Sequence, residues 1–119
     1  MAPVDLETRT TEFALRIIKL FAALPKTTEA QVLGKQLLRC GTSVGAHYRE
    51  AKRAKSTLDF VSKIEGALQE LDETCYWLEL IEKSGIMSAR RLALLQTEAV
   101  ELTKILVTVV KRAKDKMKK

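Results

Sequence analysis

Nothing in the 119-residue sequence approaches the roughly 18 consecutive apolar residues that a membrane-spanning helix requires. Aromatic residues are only 5% of the chain, so the core has to be built from Leu, Ile, Val and Ala. Only two prolines and five glycines are present, a balance expected of a helical globular protein and not of a disordered one. The two cysteines, Cys40 and Cys75, lie far apart, which excludes a disulfide framework and a four-cysteine metal site. With a single histidine, His47, and no Glu-x-x-His pair, a di-iron bundle is excluded as well. The N-terminal MAPVDLETRT lacks the basic start and apolar run of a signal peptide, so the expectation is a cytoplasmic protein with reduced core thiols.

What is present is aliphatic residue and charge: 46% hydrophobic, 30% charged, net +6. The charge is uneven. Residues 56–84 hold seven acids against Lys63 and Lys83, a net of −5, whereas Lys111 to Lys119 holds six bases against Asp115, a net of +5. Such polarity bears on partners and solubility rather than on fold.

The apolar positions advance in alternating steps of three and four, the spacing that keeps one face of a helix dry. They run Leu6, Thr10, Phe13, Ile17, Leu20, Leu24; then Leu33, Leu37, Cys40, Val44, His47, Ala51, Ala54. Two more stripes follow, Val61, Ile64, Leu68, Leu71, Cys75, Leu78 and Leu92, Leu95, Ala99, Leu102, Leu106, Val109, Ala113. Pro25 stops the first stripe, Thr28 with Gln31 reads as a capping box, Ser56 and Ser88 read as N-caps, and Ser84-Gly85 reads as an exit. The expectation is all-α: one domain, an antiparallel up-down-up-down four-helix bundle with helices at about 6–24, 28–55, 57–84 and 88–114 and a basic tail at 111–119.

The stretch GTSVGAHYREAKRAKS, residues 41–56, carries most of the functional information. It is no phosphate loop, having neither a third glycine, nor a Lys-Ser/Thr pair, nor a preceding strand. On a helix, Gly34, Gly41, Gly45 and Lys52 fall within roughly 40° of one another, beside the apolar seam. A line without side chains admits the close approach of a bundle neighbour or of a second subunit, and the spacing does not choose between them. Lys35, Arg39, Arg49 and Arg53 form a second line on the face away from the seam. That line is either a solvated face or a ridge that follows phosphates, with only Tyr48 available for stacking.

His47 sits at a seam position and reads as a buried or half-buried group hydrogen-bonded within the bundle. Glu50 projects to the far side of that helix, so no catalytic constellation forms around it. Adjacent Tyr76 and Trp77 point about 100° apart, one toward the core and one toward a second contact surface. Ile18, Phe21, Leu94 and Ile105 widen the apolar faces beyond what a lone bundle needs, which argues for association.

The runs FALRIIKLFAALPK, VLGKQLLRCGTSVGAHYREAKRAKSTLDFVSKI and DETCYWLELIEKSG together resemble the four-helix-bundle family of the 23S rRNA-intervening-sequence proteins, over about residues 6–112. This chain has His47 where that family usually shows Asn. The resemblance implies a cytoplasmic bundle that assembles into a ring, often a pentamer. It also implies kinship with the accessory proteins of diversity-generating retroelements, whose basic barrel engages nucleic acid and a reverse transcriptase.

The expected function is therefore a non-enzymatic homo-oligomer, without cofactor, metal or membrane, that binds structured RNA or another nucleic acid through basic surface stripes, with a nucleic-acid-processing protein as a further expected partner. The expected nucleic-acid contacts are Lys35, Arg39, Arg49, Lys52 and Arg53, with Lys111, Arg112, Lys114, Lys116, Lys118 and Lys119. Gly34, Gly41, Gly45, Tyr48, Tyr76 and Trp77 are the expected helix-packing or subunit contacts. The alternative is a protein-interaction scaffold with no nucleic-acid ligand, its basic residues serving solubility alone.

Overall fold

A computed structural model describes residues 5–118. Its four helices are α1 Leu6–Ala22, α2 Thr28–Lys52, α3 Thr57–Lys83 and α4 Ala89–Met117, and there is no strand among the described residues. Each helix opens on a side-chain cap that takes up one of the otherwise unbonded amides of the first turn. Asp5 accepts from the Thr8 amide, Ser56 from Asp59 at 3.0 Å and Ser88 from Arg91 at 3.3 Å. The α2 cap is Thr27, one residue before the position expected, because Thr27 is still extended while Thr28 is already helical. Gln31 is thereby freed from the expected box, and its side-chain amide donates to the Pro25 carbonyl at 2.9 Å, tying down the α1–α2 turn.

At the far end of α3, Gly85 takes φ 78°, a conformation that costs other residues a steric clash. This lets Gly85 N–H bond the Glu82 carbonyl and Ile86 N–H bond the Ile81 carbonyl, the paired closure of a left-handed helix exit. Two boundaries differ in substance from the expectation. α2 stops at Lys52, so Ala54 and Lys55 belong to the turn into α3. α4 runs on to Met117, so the basic segment is helix and not a loose tail. No Gly or Pro interrupts it, and Lys114 and Lys116 in its last turn offset the helix dipole.

Sequential helices run in opposite directions. Gly34 lies against Leu24 and Phe21 of α1, Gly41 against Ile17, and Gly45 against Thr10, so numbering falls along α1 as it rises along α2. Glu50 meets Lys63 and Arg39 meets Glu73 between α2 and α3. Glu82 meets Gln96 and Glu65 meets Lys114 between α3 and α4. The result is an up-down-up-down bundle of 52 × 29 × 21 Å.

The core is aliphatic around Phe13, with Ile17, Leu37, Ile64, Leu71 and Leu102 fully buried. A strict three-four alternation drifts by about 20° per heptad against a straight helix, and the long helices show it. Ala67 and Thr74 enter the core of α3 while Leu68 and Cys75 are only half-buried, and Val110 replaces Val109 in α4. Likewise Leu20, Leu33 and His47 are half-buried. Thr74 avoids an unbonded hydroxyl in the core by donating to the Glu70 carbonyl at 2.8 Å.

Of the neighbouring helix pairs, α1 and α4 touch least, and among the described residues one ion pair spans their seam: Arg9 Nε and Nη2 donate to the two Glu98 oxygens at 2.7 and 2.9 Å. The hydrogen bonds from Arg9 hold the Glu98 carboxyl below its ordinary pKa, more than its partial burial raises it. The stabilisation is thus present above the carboxyl's unfolded pKa and is lost as pH falls through the lower folded value. Glu98→Gln is expected to cost about 1 kcal/mol near neutral pH after allowance for solvent screening at half-exposed Arg9. Urea unfolding should show that difference shrinking as the pH falls below the ordinary carboxyl range; a difference independent of pH would contradict the assignment.

Candidate nucleic-acid interface

Ion pairing divides the cations named from the sequence into two groups. Arg39 is bound to Glu73 at 3.3 Å and to Glu70 at 3.6 Å, Lys52 to Glu7 at 3.2 Å, and Lys114 to Glu65 at 3.2 Å. Arg49 donates to the Thr11 hydroxyl and meets no carboxylate among the described residues. Lys35, Arg53, Lys111, Arg112, Lys116 and Lys118 are exposed and form no ion pair among the described residues. Lys119 lies outside the described residues.

In an up-down-up-down chain the even-numbered helices finish at the same end, and here that brings the two basic clusters together. A cavity of about 510 Å³ opens where α2 ends, α3 begins and α4 finishes. Lys52, Lys55, Arg112 and Lys116 surround it, and Phe60, Val109, Ala51, Ala54 and Ala113 give it an apolar floor. Lys55 and Phe60 were not among the contacts expected from sequence. The spacing puts Lys55 inside a helix, and Phe60 lies just off the α3 seam, so only their convergence with α4 marks them.

The glycine line of α2 faces α1 of the same chain. A Cβ at Gly34 would lie 2.5 Å from Leu24 Cδ1, and one at Gly41 would lie 2.7 Å from Ile17 Cγ1. The space left by the missing side chains is therefore filled within the bundle. Tyr48 and Trp77 are half-buried and pack against the core, while Tyr76 is 53% exposed beside Trp77, with ring centroids 5.2 Å apart.

His47 departs from its expected role. Its ring packs on Gly66, where a Cβ would come within 2.9 Å of Nδ1, and that nitrogen is buried without a hydrogen-bond partner. Its Nε2 stands 3.7 Å from Glu70 Oε2, too long for a hydrogen bond. Nearby, the donor atoms of Cys40, Glu70 and Glu73 lie within 4.8 Å of one another, a spacing a cation could use. Arg39 already supplies the positive charge there, its Nη2 lying 3.3 Å from both Cys40 Sγ and Glu73 Oε1. Burial pushes the Cys40 thiol up to about 11, so it stays protonated at neutral pH and is a poor ligand. No helix of the described residues is long and apolar enough to cross a membrane.

Comparison with known proteins agrees with this architecture. A family described as "23S rRNA-intervening sequence protein" matches residues 4–108. Among solved structures, a protein of unknown function from the S23 ribosomal protein family of Bacteroides thetaiotaomicron VPI-5482 is similar, with 37% identity and a TM-score of 0.84. That match covers 88% of this chain and 97% of the other. No curated protein matches the sequence. With the family's match running over nearly the whole chain and the bundle found in a relative of that identity, the chain belongs to the family of 23S rRNA-intervening sequence proteins.

Proposed function

We propose that the chain is a non-enzymatic, cytoplasmic homo-oligomeric bundle that binds structured RNA or another nucleic acid through its basic end. The observation that supports this most is the meeting of Lys52 and Lys55 with Arg112 and Lys116 around one cavity, although about sixty residues of sequence separate the two pairs. Cations near a helix C-terminus also offset the helix dipole, and one or two would suffice for that. The surplus of unpaired Lys and Arg at this end exceeds that need and matches a polyanion. Contacts of this type read phosphate spacing and charge, not base sequence.

Association of copies is supported by apolar residues left outside the core. Leu94 is 77% exposed, Leu15 59% and Ile18 46%, and they lie on α1 and α4. A ring, by resemblance a pentamer, would cover them. The same residues favour the second reading, a scaffold for a protein partner. An acidic α3 docking face is less supported, because Glu65, Glu70 and Glu73 already pair with cations of this chain.

The test is binding of a duplex RNA and of an unrelated duplex DNA across a salt series, by fluorescence anisotropy, with light scattering on the same samples. Log affinity should fall against log salt with a slope of about −3 to −5 per protomer, nearly alike for both sequences. An affinity indifferent to salt, or one protein recovered from cells with no nucleic acid, would transfer support to the scaffold.

A further inference from the structure

We propose that the cavity at the basic end is a nucleotide site: the phosphate is held by Lys55, Arg112 and Lys116, and the base rests on the floor formed by Phe60 and Val109. A polyanion backbone alone needs only cations in water. Here the cations stand around an apolar floor, and a low-dielectric wall strengthens their field at the opening. Phe60 supplies an aromatic face, and Ala51, Ala54 and Ala113 leave depth beside it where longer side chains would fill the space. A volume of about 510 Å³ lies in the usual range for small-molecule sites.

The charge is available. Lys55, Arg112 and Lys116 form no ion pair among the described residues, and only Lys52 of the lining cations is engaged, with Glu7. The nearby carboxylate of Asp59 is turned to the Lys55 backbone amide at 3.4 Å and does not line the cavity. The Ser56 hydroxyl is occupied in capping the Asp59 amide, so the anion rests on the side-chain cations rather than on the helix end. Arg112 suits this role twice over, since a guanidinium can grip two phosphate oxygens and also lie flat against a base.

That the ligand is a nucleotide, and not some other phosphate ester with an apolar body, rests on the nucleic-acid reading above; the cavity and its charges do not. The ligand has two sources, a free mononucleotide or the phosphorylated end of a strand.

The experiment titrates the full chain with AMP, adenosine and inorganic phosphate by calorimetry, and with short single strands carrying a 5′-phosphate or a 5′-hydroxyl. AMP should bind at least about tenfold more tightly than adenosine or phosphate alone, because neither makes both sets of contacts. Phe60→Leu and the exposed Arg112→Gln should each weaken AMP about tenfold, with thermal melts confirming that the fold is retained. A strand preferred for its 5′-phosphate and displaced by AMP identifies the strand end; AMP binding with no preference between strands identifies the free nucleotide. AMP no tighter than phosphate, or unaffected by both substitutions, overturns the site. Salt-sensitive RNA binding that survives that result leaves the broader reading standing. Conversely, AMP binding without any RNA binding leaves the site and removes the broader reading.

Discussion

Gly41→Ala is expected to lower the unfolding free energy by about 1–2 kcal/mol, and Gly41→Leu by about 3 kcal/mol or more, although alanine in a helix interior is intrinsically favoured over glycine by about 1 kcal/mol. The sign is decided by Ile17. A Cβ at position 41 would lie 2.7, 2.9 and 3.0 Å from three carbons of that one side chain, which is fully buried and stiff at χ1. It has no direction in which to swing, so α1 has to lift.

Gly45 makes the control. There the nearest atoms belong to Thr10 at 3.2 to 3.6 Å, close but tolerable, so Gly45→Ala should stay within about 1 kcal/mol of the parent. Urea denaturation of the two variants separates the cases, and coupling can be checked by repeating Gly41→Ala in an Ile17→Ala background, where its cost should largely vanish. An alanine at 41 that stabilised the protein would mean that α1 is not seated on the glycine edge.

The largest functional effect is expected from removing unpaired cations at the basic end. Each phosphate contact contributes about 0.9 to the slope of log affinity on log salt, hence nearly a factor of ten at about 0.1 M. The combined Arg53→Gln, Lys111→Gln and Lys118→Gln variant, which leaves the proposed nucleotide cavity untouched, should therefore lose affinity for duplex RNA by about 10²–10³ and flatten the slope by nearly 3. Arg39→Gln and Lys114→Gln, which remove cations already neutralised by Glu70, Glu73 and Glu65, should change affinity by less than about threefold. Equal losses from both sets would mean that ion pairing within the chain does not decide which cations meet the polyanion, and no loss from either would remove Arg53, Lys111 and Lys118 as contacts.

Much of this molecule is legible in the order of its amino acids. The three-four spacing located all four helices because each has to bury a stripe, and Ser56 and Ser88 marked their starts because a hydroxyl there satisfies a free amide. Thr27 was missed since two adjacent threonines offer the same chemistry and only backbone direction chooses between them. The glycine edge was visible, but not its occupant: Ile17 and Thr10 reach it across a turn, and spacing within one helix carries no information about which neighbour arrives.

Charge was the least readable property. Arg39 looked free on a helical projection, yet its partner Glu73 sits on another helix 34 positions away. The cavity was hidden for the same reason. Its lining is drawn from segments far apart in the chain, and its alanines and Phe60 carry no signature until they converge.

The last buried residue of α4 is Ala113, while the helix continues to Met117, so its final turn meets the bundle only through long side chains, Lys114 reaching Glu65 and Lys116 lying at the cavity. At about 1.5 Å per residue that turn forms a backbone overhang of some 6 Å past the last buried residue. Copies arranged around a rotation axis parallel to their helices would all point the same way. Such a ring would be crowned on one rim by every overhang, leaving its opposite rim without them, and so would have two chemically different mouths.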